Sequence, residues 1–214
     1  KEQEYGGNVY LTNYDMKQVE IVMVSNGAKY EEASLPVIKL YNTYFGGSMS
    51  GVVFQDLRES KALAYSVYSE YAKPNKPEKK YTNFSYIGSQ SDKLSEALKG
   101  MSDLLNNMPK AAASFNAAKE QVLQDIQSQR ITKSNILMNY ENALKFGHTH
   151  DIRKDIFEKV SLMTFEDILK FQETYVKGKP FTTLVLGDKN QLNMKALEKY
   201  GTVKELSLVE IFGY

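Results

Sequence analysis

Two histidines, His148 and His150, and a basic–aromatic pair, Arg58 and Tyr65, are the side chains of this 214-residue chain whose types and spacing invite a chemical reading. Imidazole ligates transition metals and exchanges protons near neutral pH. The helical zinc motifs H-E-x-x-H and H-x-x-E-H set two histidines four residues apart, on one face of a helix. His148 and His150 are two apart, so on a helix they diverge. On a strand they would share a face, but Gly147 and Thr149 mark a turn. The pair reads as a solvated turn, and no metal site is expected in this chain. The absence of cysteine excludes disulfides, thiolate catalysis and cysteine-ligated metal. No G-x-S-x-G, P-loop or G-x-G-x-x-G stands anywhere. Gly46-Gly47 lacks the Gly-Lys-Ser/Thr of a phosphate cradle and reads as a helix stop.

Arg58 and Tyr65 lie seven residues apart. Taken singly, Arg58 suits the last turn of a helix, where a cation faces the negative end of the dipole. Tyr65 taken singly is a half-buried strand residue. A tyrosine hydroxyl, with a pKa near 10, is a donor at neutral pH.

Periodicity gives the secondary structure around this pair. Val19–Val24 is a β-branched strand, with Asn26-Gly27 as a turn after it. Val37, Leu40, Tyr41 and Tyr44 recur at helical spacing, with Pro36 in the first turn and Gly46-Gly47 as the stop. Met49, Val52, Val53 and Leu57 continue a helical pattern. Leu63, Tyr65, Val67, Ser69 and Tyr71 alternate with their neighbours, which is the period of a strand. The mixed-charge stretch 73–80 is a solvated hairpin tip, and Tyr81–Ile87 is the returning strand. The tyrosine-rich strands are expected to build a sheet face rather than a ligand platform.

Helices then dominate. One runs from Leu94 to Met108, capped by Ser91 or Asp92; another is capped by Ser114; a third spans Asn135–Phe146 and ends at Gly147. A short one covers Asp151–Val160, and Thr164 with Asp167 forms a capping box before the next. A strand at Phe181–Gly187 and a helix at Asn190–Tyr200 close the chain. A hairpin followed by a helical block argues for an α+β fold rather than regular βαβ alternation.

The run from Tyr44 to Val67 carries more than periodicity. Gly46-Gly47, then Met49-Ser50, then Phe54-Gln55-Asp56-Leu57-Arg58-Glu59, then Leu63-Ala64-Tyr65-Ser66-Val67 resembles a block in the C-terminal halves of pitrilysin-type zinc peptidases. The order and spacing match. Val52 stands where many relatives carry Arg, and Ala62 where many carry Gly. The resemblance implies a two-layer α+β sandwich, a largely antiparallel sheet with helices mainly on one face. It implies a division of labour, with zinc held by an H-x-x-E-H domain in the same or a second polypeptide. This half would lend Arg58 and Tyr65 to the chamber, Tyr65 as oxyanion donor and Arg58 as a substrate-binding group. The isolated chain is not expected to cleave peptides. Two other readings stay open: a silent structural subunit, as in the core proteins of the respiratory complex, and a free-standing peptide-binding module. In proteins of this resemblance a peptide could pair with an exposed sheet edge by main-chain hydrogen bonds.

The bulk properties agree with a soluble single domain. Twenty-seven basic against twenty-six acidic residues leave a net charge of +1, a poor match for nucleic acid or an anionic membrane. No apolar run reaches the roughly 18 residues of a membrane span. Residues 1–17 read as a linker or a first strand from a preceding domain, and 18–214 as one domain. The N-terminus has no apolar signal core and reads as a cut end, so the chain is expected to be part of a longer protein. The periplasm is the compartment that the resemblance suggests.

Overall fold

The computed structural model describes residues 4–214; residues 1–3 of the stretch assigned to a linker lie outside the described residues. Six strands form one mixed sheet: β1 (Asn8–Asn13), β2 (Gln18–Lys29), β3 (Ser66–Ala72), β4 (Lys80–Gln90), β5 (Thr182–Gly187) and β6 (Thr202–Glu205). Their order across the sheet is β3-β4-β2-β5-β1-β6. The β2–β4, β2–β5 and β3–β4 pairs are antiparallel, and β1 pairs in parallel with both β5 and β6. Residues 8–13, inside the stretch read as linker or first strand, are thus part of this sheet.

Alternation assigns the two faces. Val9, Leu11, Val19, Ile21, Met23, Val67, Tyr71, Ile87 and Val185 point to one side and are buried. There they meet α1 (Leu35–Phe45), α2 (Leu94–Asn106), α3 (Ala112–Ser128) and α6 (Phe165–Tyr175) in one continuous core. On the other side Tyr68, Tyr86, Val22, Leu184 and Tyr10 succeed one another across five strands. Tyr68 stacks on Phe84 and tilts against Tyr86, so the tyrosine-rich strands do build a sheet face. The fold is the expected α+β sandwich, with a mostly antiparallel sheet.

Several local readings change. Asn26-Gly27 is not a turn: β2 runs through it, with a bulge between Asn26 and Lys29. The glycine is needed for close approach, because a Cβ there would lie 2.5 Å from the Tyr71 hydroxyl. That hydroxyl accepts the Ala28 N–H at 2.6 Å. Ser91 does not cap α2; its hydroxyl donates to the Lys17 carbonyl, tying the helix start to β2. Ser114 sits inside α3, whose N-cap is Ala111, and the Ala111 N–H goes to the Tyr44 hydroxyl instead. The last long helix is broken: Asp188 gathers Asn190 and Gln191 into a turn, and Asn193 caps a short α7 (Met194–Leu197).

Other readings hold. Gly147, in left-handed conformation, follows α4 (Ile136–Lys145). Asp151 caps α5 (Ile152–Leu162), and Thr164 with Asp167 closes the capping box of α6. A last short helix, α8 (Leu208–Phe212), ends the chain. Among the described residues no helix is long and apolar enough to cross a membrane.

Candidate functional site

The block from Tyr44 to Val67 folds as helix end, glycine turn, helix, left-handed turn and strand. Gly46 follows α1, and its carbonyl accepts the Ser69 N–H of β3 at 3.2 Å. A Cβ at Gly46 would lie 2.5 Å from the Ser69 carbonyl oxygen, so only glycine lets the helix end touch the strand. Four residues earlier Asn42 brackets the Tyr71 backbone, accepting its N–H at 2.8 Å and donating to its carbonyl at 3.2 Å. α1 therefore covers the outer edge of β3 at Ser69 and Tyr71. A peptide has no free edge to pair with at those two residues.

The next helix, Phe54–Ser60, is π-helical, with an N–H reaching five residues back from Lys61 to the Asp56 carbonyl at 3.0 Å. Such wide turns gather at functional sites. Leu57 anchors it, fully buried, and truncating such a leucine to alanine costs about 2–5 kcal/mol. Met49 does not share that buried face; it is 74% exposed. Arg58 lies in the last turn, its guanidinium 4.7 Å from the centre of the Phe54 ring. Its ionic partner, Glu59, is 3.8 Å away, beyond hydrogen-bond distance.

Ala62 carries the turn into β3 with φ +50°, the one non-glycine residue at positive φ among those described. An alanine in this left-handed turn stores strain, about 1–2 kcal/mol for an L-residue. Lys93 donates to the Ala62 carbonyl at 2.9 Å, and the Leu63 N–H returns to the Leu57 carbonyl at 2.8 Å. Just beyond, the buried Ser89 hydroxyl donates to the Leu63 carbonyl at 2.6 Å.

The alternation holds at Leu63 and Val67, both buried, but breaks between them. By alternation Tyr65 belongs with the buried Val67, Ser69 and Tyr71; in the structure it is 51% exposed and Ala64 is buried instead. Strand pairing begins only at Ser66, opposite Gly88. Tyr65 therefore projects into an open hollow of about 460 Å³, lined also by Arg58, Glu59, Leu63, Gln90 and Lys93. Gln90 donates its side-chain amide to the Tyr65 hydroxyl at 2.5 Å. Because that hydroxyl is used as an acceptor, its own proton is left to donate outward. Gln90, Ser89 and Lys93 were not picked out from the sequence, because nothing in the end of β4 marks them until the sheet brings them opposite Tyr65.

The histidines part company. His148 is not solvated: it is 8% exposed, packed parallel to the Phe146 ring. Its Nε2 is 3.2 Å from the Tyr30 hydroxyl, and its Nδ1 contacts the Glu32 carboxylate. His150 is exposed, with Nε2 3.1 Å from Asp155. They do not form the H-x-x-E-H pattern, so the zinc site of the pitrilysin-type enzymes does not fit these residues.

Comparison with known proteins gives the family and the fold. Residues 2–122 match the family described as the peptidase M16 inactive domain, and the chain belongs to that family. It is 27% identical over 156 residues to an uncharacterized zinc protease, YmxG, of Bacillus subtilis, covering 72% of this chain and 38% of that protein. In fold it is similar to the peptidase M16 inactive domain from Pseudomonas fluorescens, with a TM-score of 0.74 at 13% identity over 88% of this chain and 46% of that one. It is similar also to the periplasmic protease PqqL from Escherichia coli, with a TM-score of 0.67 at 16% identity over 87% of this chain and 21% of that one. The chain thus spans less than half of each of these relatives.

Proposed function

We propose that this chain is the non-zinc half of an M16 zinc endopeptidase and that it lends Arg58 and Tyr65 to the substrate chamber. The observation that carries the reading is the Tyr65 hydroxyl, accepting from Gln90 and open to the hollow it shares with Arg58. The partner is a catalytic H-x-x-E-H domain, in the same or a second polypeptide, and the substrate is a peptide. Zinc held by that partner would supply Lewis-acid activation of the scissile carbonyl.

The residues of this chain act on the other side of the peptide. Tyr65 donates its proton as a hydrogen bond to the carbonyl oxygen as charge builds on it. Arg58, with its guanidinium fixed over Phe54, binds a neighbouring backbone carbonyl and orients the chain. Neither group supplies a nucleophile, so this half alone does not hydrolyse peptides. The periplasm is the compartment proposed, in keeping with the periplasmic PqqL.

The test is Tyr65→Phe in the assembled enzyme. Removing one preplaced oxyanion donor lowers kcat by about 10²–10³, with KM and zinc content little changed. Unaltered turnover would sink the oxyanion role and favour a silent structural module of the same fold. Arg58→Ala should act mainly on KM, since it removes binding shared by ground and transition states.

A further inference from the structure

Ahead of α1 the chain brings two segments into contact that lie far apart in sequence. Glu32 lies in the short 3₁₀ turn Glu32–Ser34 that leads into α1. His150 lies just ahead of α5, and Asp155 lies in the first turn of that helix. One ligand atom from each of Glu32, His150 and Asp155 falls within 4.8 Å of the other two. We propose that these three residues form a binding site for a divalent transition-metal cation of the zinc type.

Four observations support the site. First, the donor set is one imidazole and two carboxylates, all common zinc ligands. Tetrahedral zinc with bonds of about 2.0–2.2 Å needs donors about 3.4 Å apart. His150 Nε2 and Asp155 Oδ2 are already 3.1 Å apart. The remaining closure falls to partly exposed side chains.

Second, Glu32 is held from behind. The buried His148 contacts its carboxylate through Nδ1, and the Tyr30 hydroxyl stands 3.2 Å from Nε2 of the same ring. With the proton on Nδ1, His148 donates to Glu32 and accepts from Tyr30. This is the kind of outer contact that orients a metal-binding carboxylate.

Third, one of the neighbouring cations is engaged elsewhere. Arg153, next to the site, is paired with Asp151 through two hydrogen bonds from Nε at 2.8 and 3.0 Å and a closer contact from a terminal nitrogen. Fourth, the place is open to solvent: Glu32 and Asp155 line a small cleft with Ile152, Ile156 and Lys159, and His150, outside that cleft, is exposed.

The experiment is zinc titration of the metal-free, untagged chain by calorimetry and by competition with a chromogenic chelator. The expected result is one zinc per chain with a Kd of about 1–100 μM, and no heat from magnesium or calcium at the same concentrations. His150→Ala and Asp155→Asn should each abolish the uptake while the far-UV spectrum stays unchanged. His148→Asn should retain uptake but weaken it by about 10- to 100-fold, as loss of an orienting contact does. Failure of the unaltered chain to take up zinc overturns the site. So does uptake that survives in His150→Ala, because the imidazole is the ligand that sets this site apart from a pair of surface carboxylates.

Discussion

Gln90 donates to the hydroxyl of Tyr65 across the start of the β3–β4 hairpin, 2.5 Å from nitrogen to oxygen. The contact fixes the ring of a half-exposed tyrosine and sends its proton toward solvent. Changing Gln90 to Ala keeps the donor but frees its direction. The expected effect in the assembled enzyme is a kcat loss on the order of tenfold, since misplacement of a catalytic group is costly even when the group remains. That is less than the loss in Tyr65→Phe, and the double variant should be no worse than Tyr65→Phe alone. Additive losses would show that Gln90 acts by some route other than Tyr65.

The strained turn at Ala62 gives a stability prediction. Glycine at φ +50° would relieve about 1–2 kcal/mol, and its greater freedom in the unfolded chain takes back about 0.4–1 kcal/mol. Ala62→Gly should therefore raise the urea midpoint by an amount equal to about 0.5–1 kcal/mol, with no change in the slope. Ala62→Val, β-branched at positive φ, should lower it. A Gly variant less stable than the parent would mean that the Lys93 contact and the turn do not force this conformation.

Gly46 makes the opposite prediction. Its missing Cβ lets the end of α1 meet Ser69, whose carbonyl oxygen and nitrogen would lie 2.5 and 2.7 Å from an added carbon. Both partners are backbone, so no side chain can yield. Gly46→Ala should cost about 1–3 kcal/mol, the usual range for overpacking. It should also disturb the Tyr65 hollow, since the same strand leads out of it. Amide exchange at Ser69 and Tyr71 is the direct readout, and unchanged protection there would refute the contact.

The legibility of this protein follows the same division between local and distant causes. The α1 stop, the hairpin and the α6 capping box were readable because each depends on neighbours within a few residues. The exposure of Tyr65 was not, because the alternation that holds at Leu63 and Val67 breaks between them, ahead of the ladder that begins at Ser66. Asn26-Gly27 has the look of a turn, and only the Tyr71 hydroxyl, 43 residues from Ala28, explains why a glycine stands inside a strand. One of the two histidines departs from its reading for the same reason, while His150 is exposed as expected. His148 is buried by a contact with Glu32 that spans 116 residues, and no spacing rule reaches that far. The pair Arg58 and Tyr65 is a proposal that rests on the resemblance, whereas Gln90, which contacts the tyrosine, carries no local mark.

The buried tyrosines set an alkaline limit on stability. Tyr71 and Tyr81 are both pushed up to about 12, chiefly by burial, and Tyr30 to about 12 by burial together with the nearby Glu32 charge. Burial disfavours the phenolate. In the unfolded chain these groups ionise near pH 10, so above that pH the unfolded state binds fewer protons than the folded state and stability falls as pH rises. The stabilisation is complete below about pH 10 and is lost as pH climbs through about 12. Urea midpoints measured across this window should fall continuously, with tyrosinate absorbance rising in one step with the loss of structure. Tyr71→Phe gives up the bond from the Ala28 N–H, worth about 0.5–1.5 kcal/mol, and so starts from a lower midpoint at neutral pH. It should also show a shallower alkaline decline, because one phenol fewer separates the two states. A decline as steep as the parent's would mean that Tyr71 ionises without unfolding, which its burial beneath Phe171 and Tyr81 argues against.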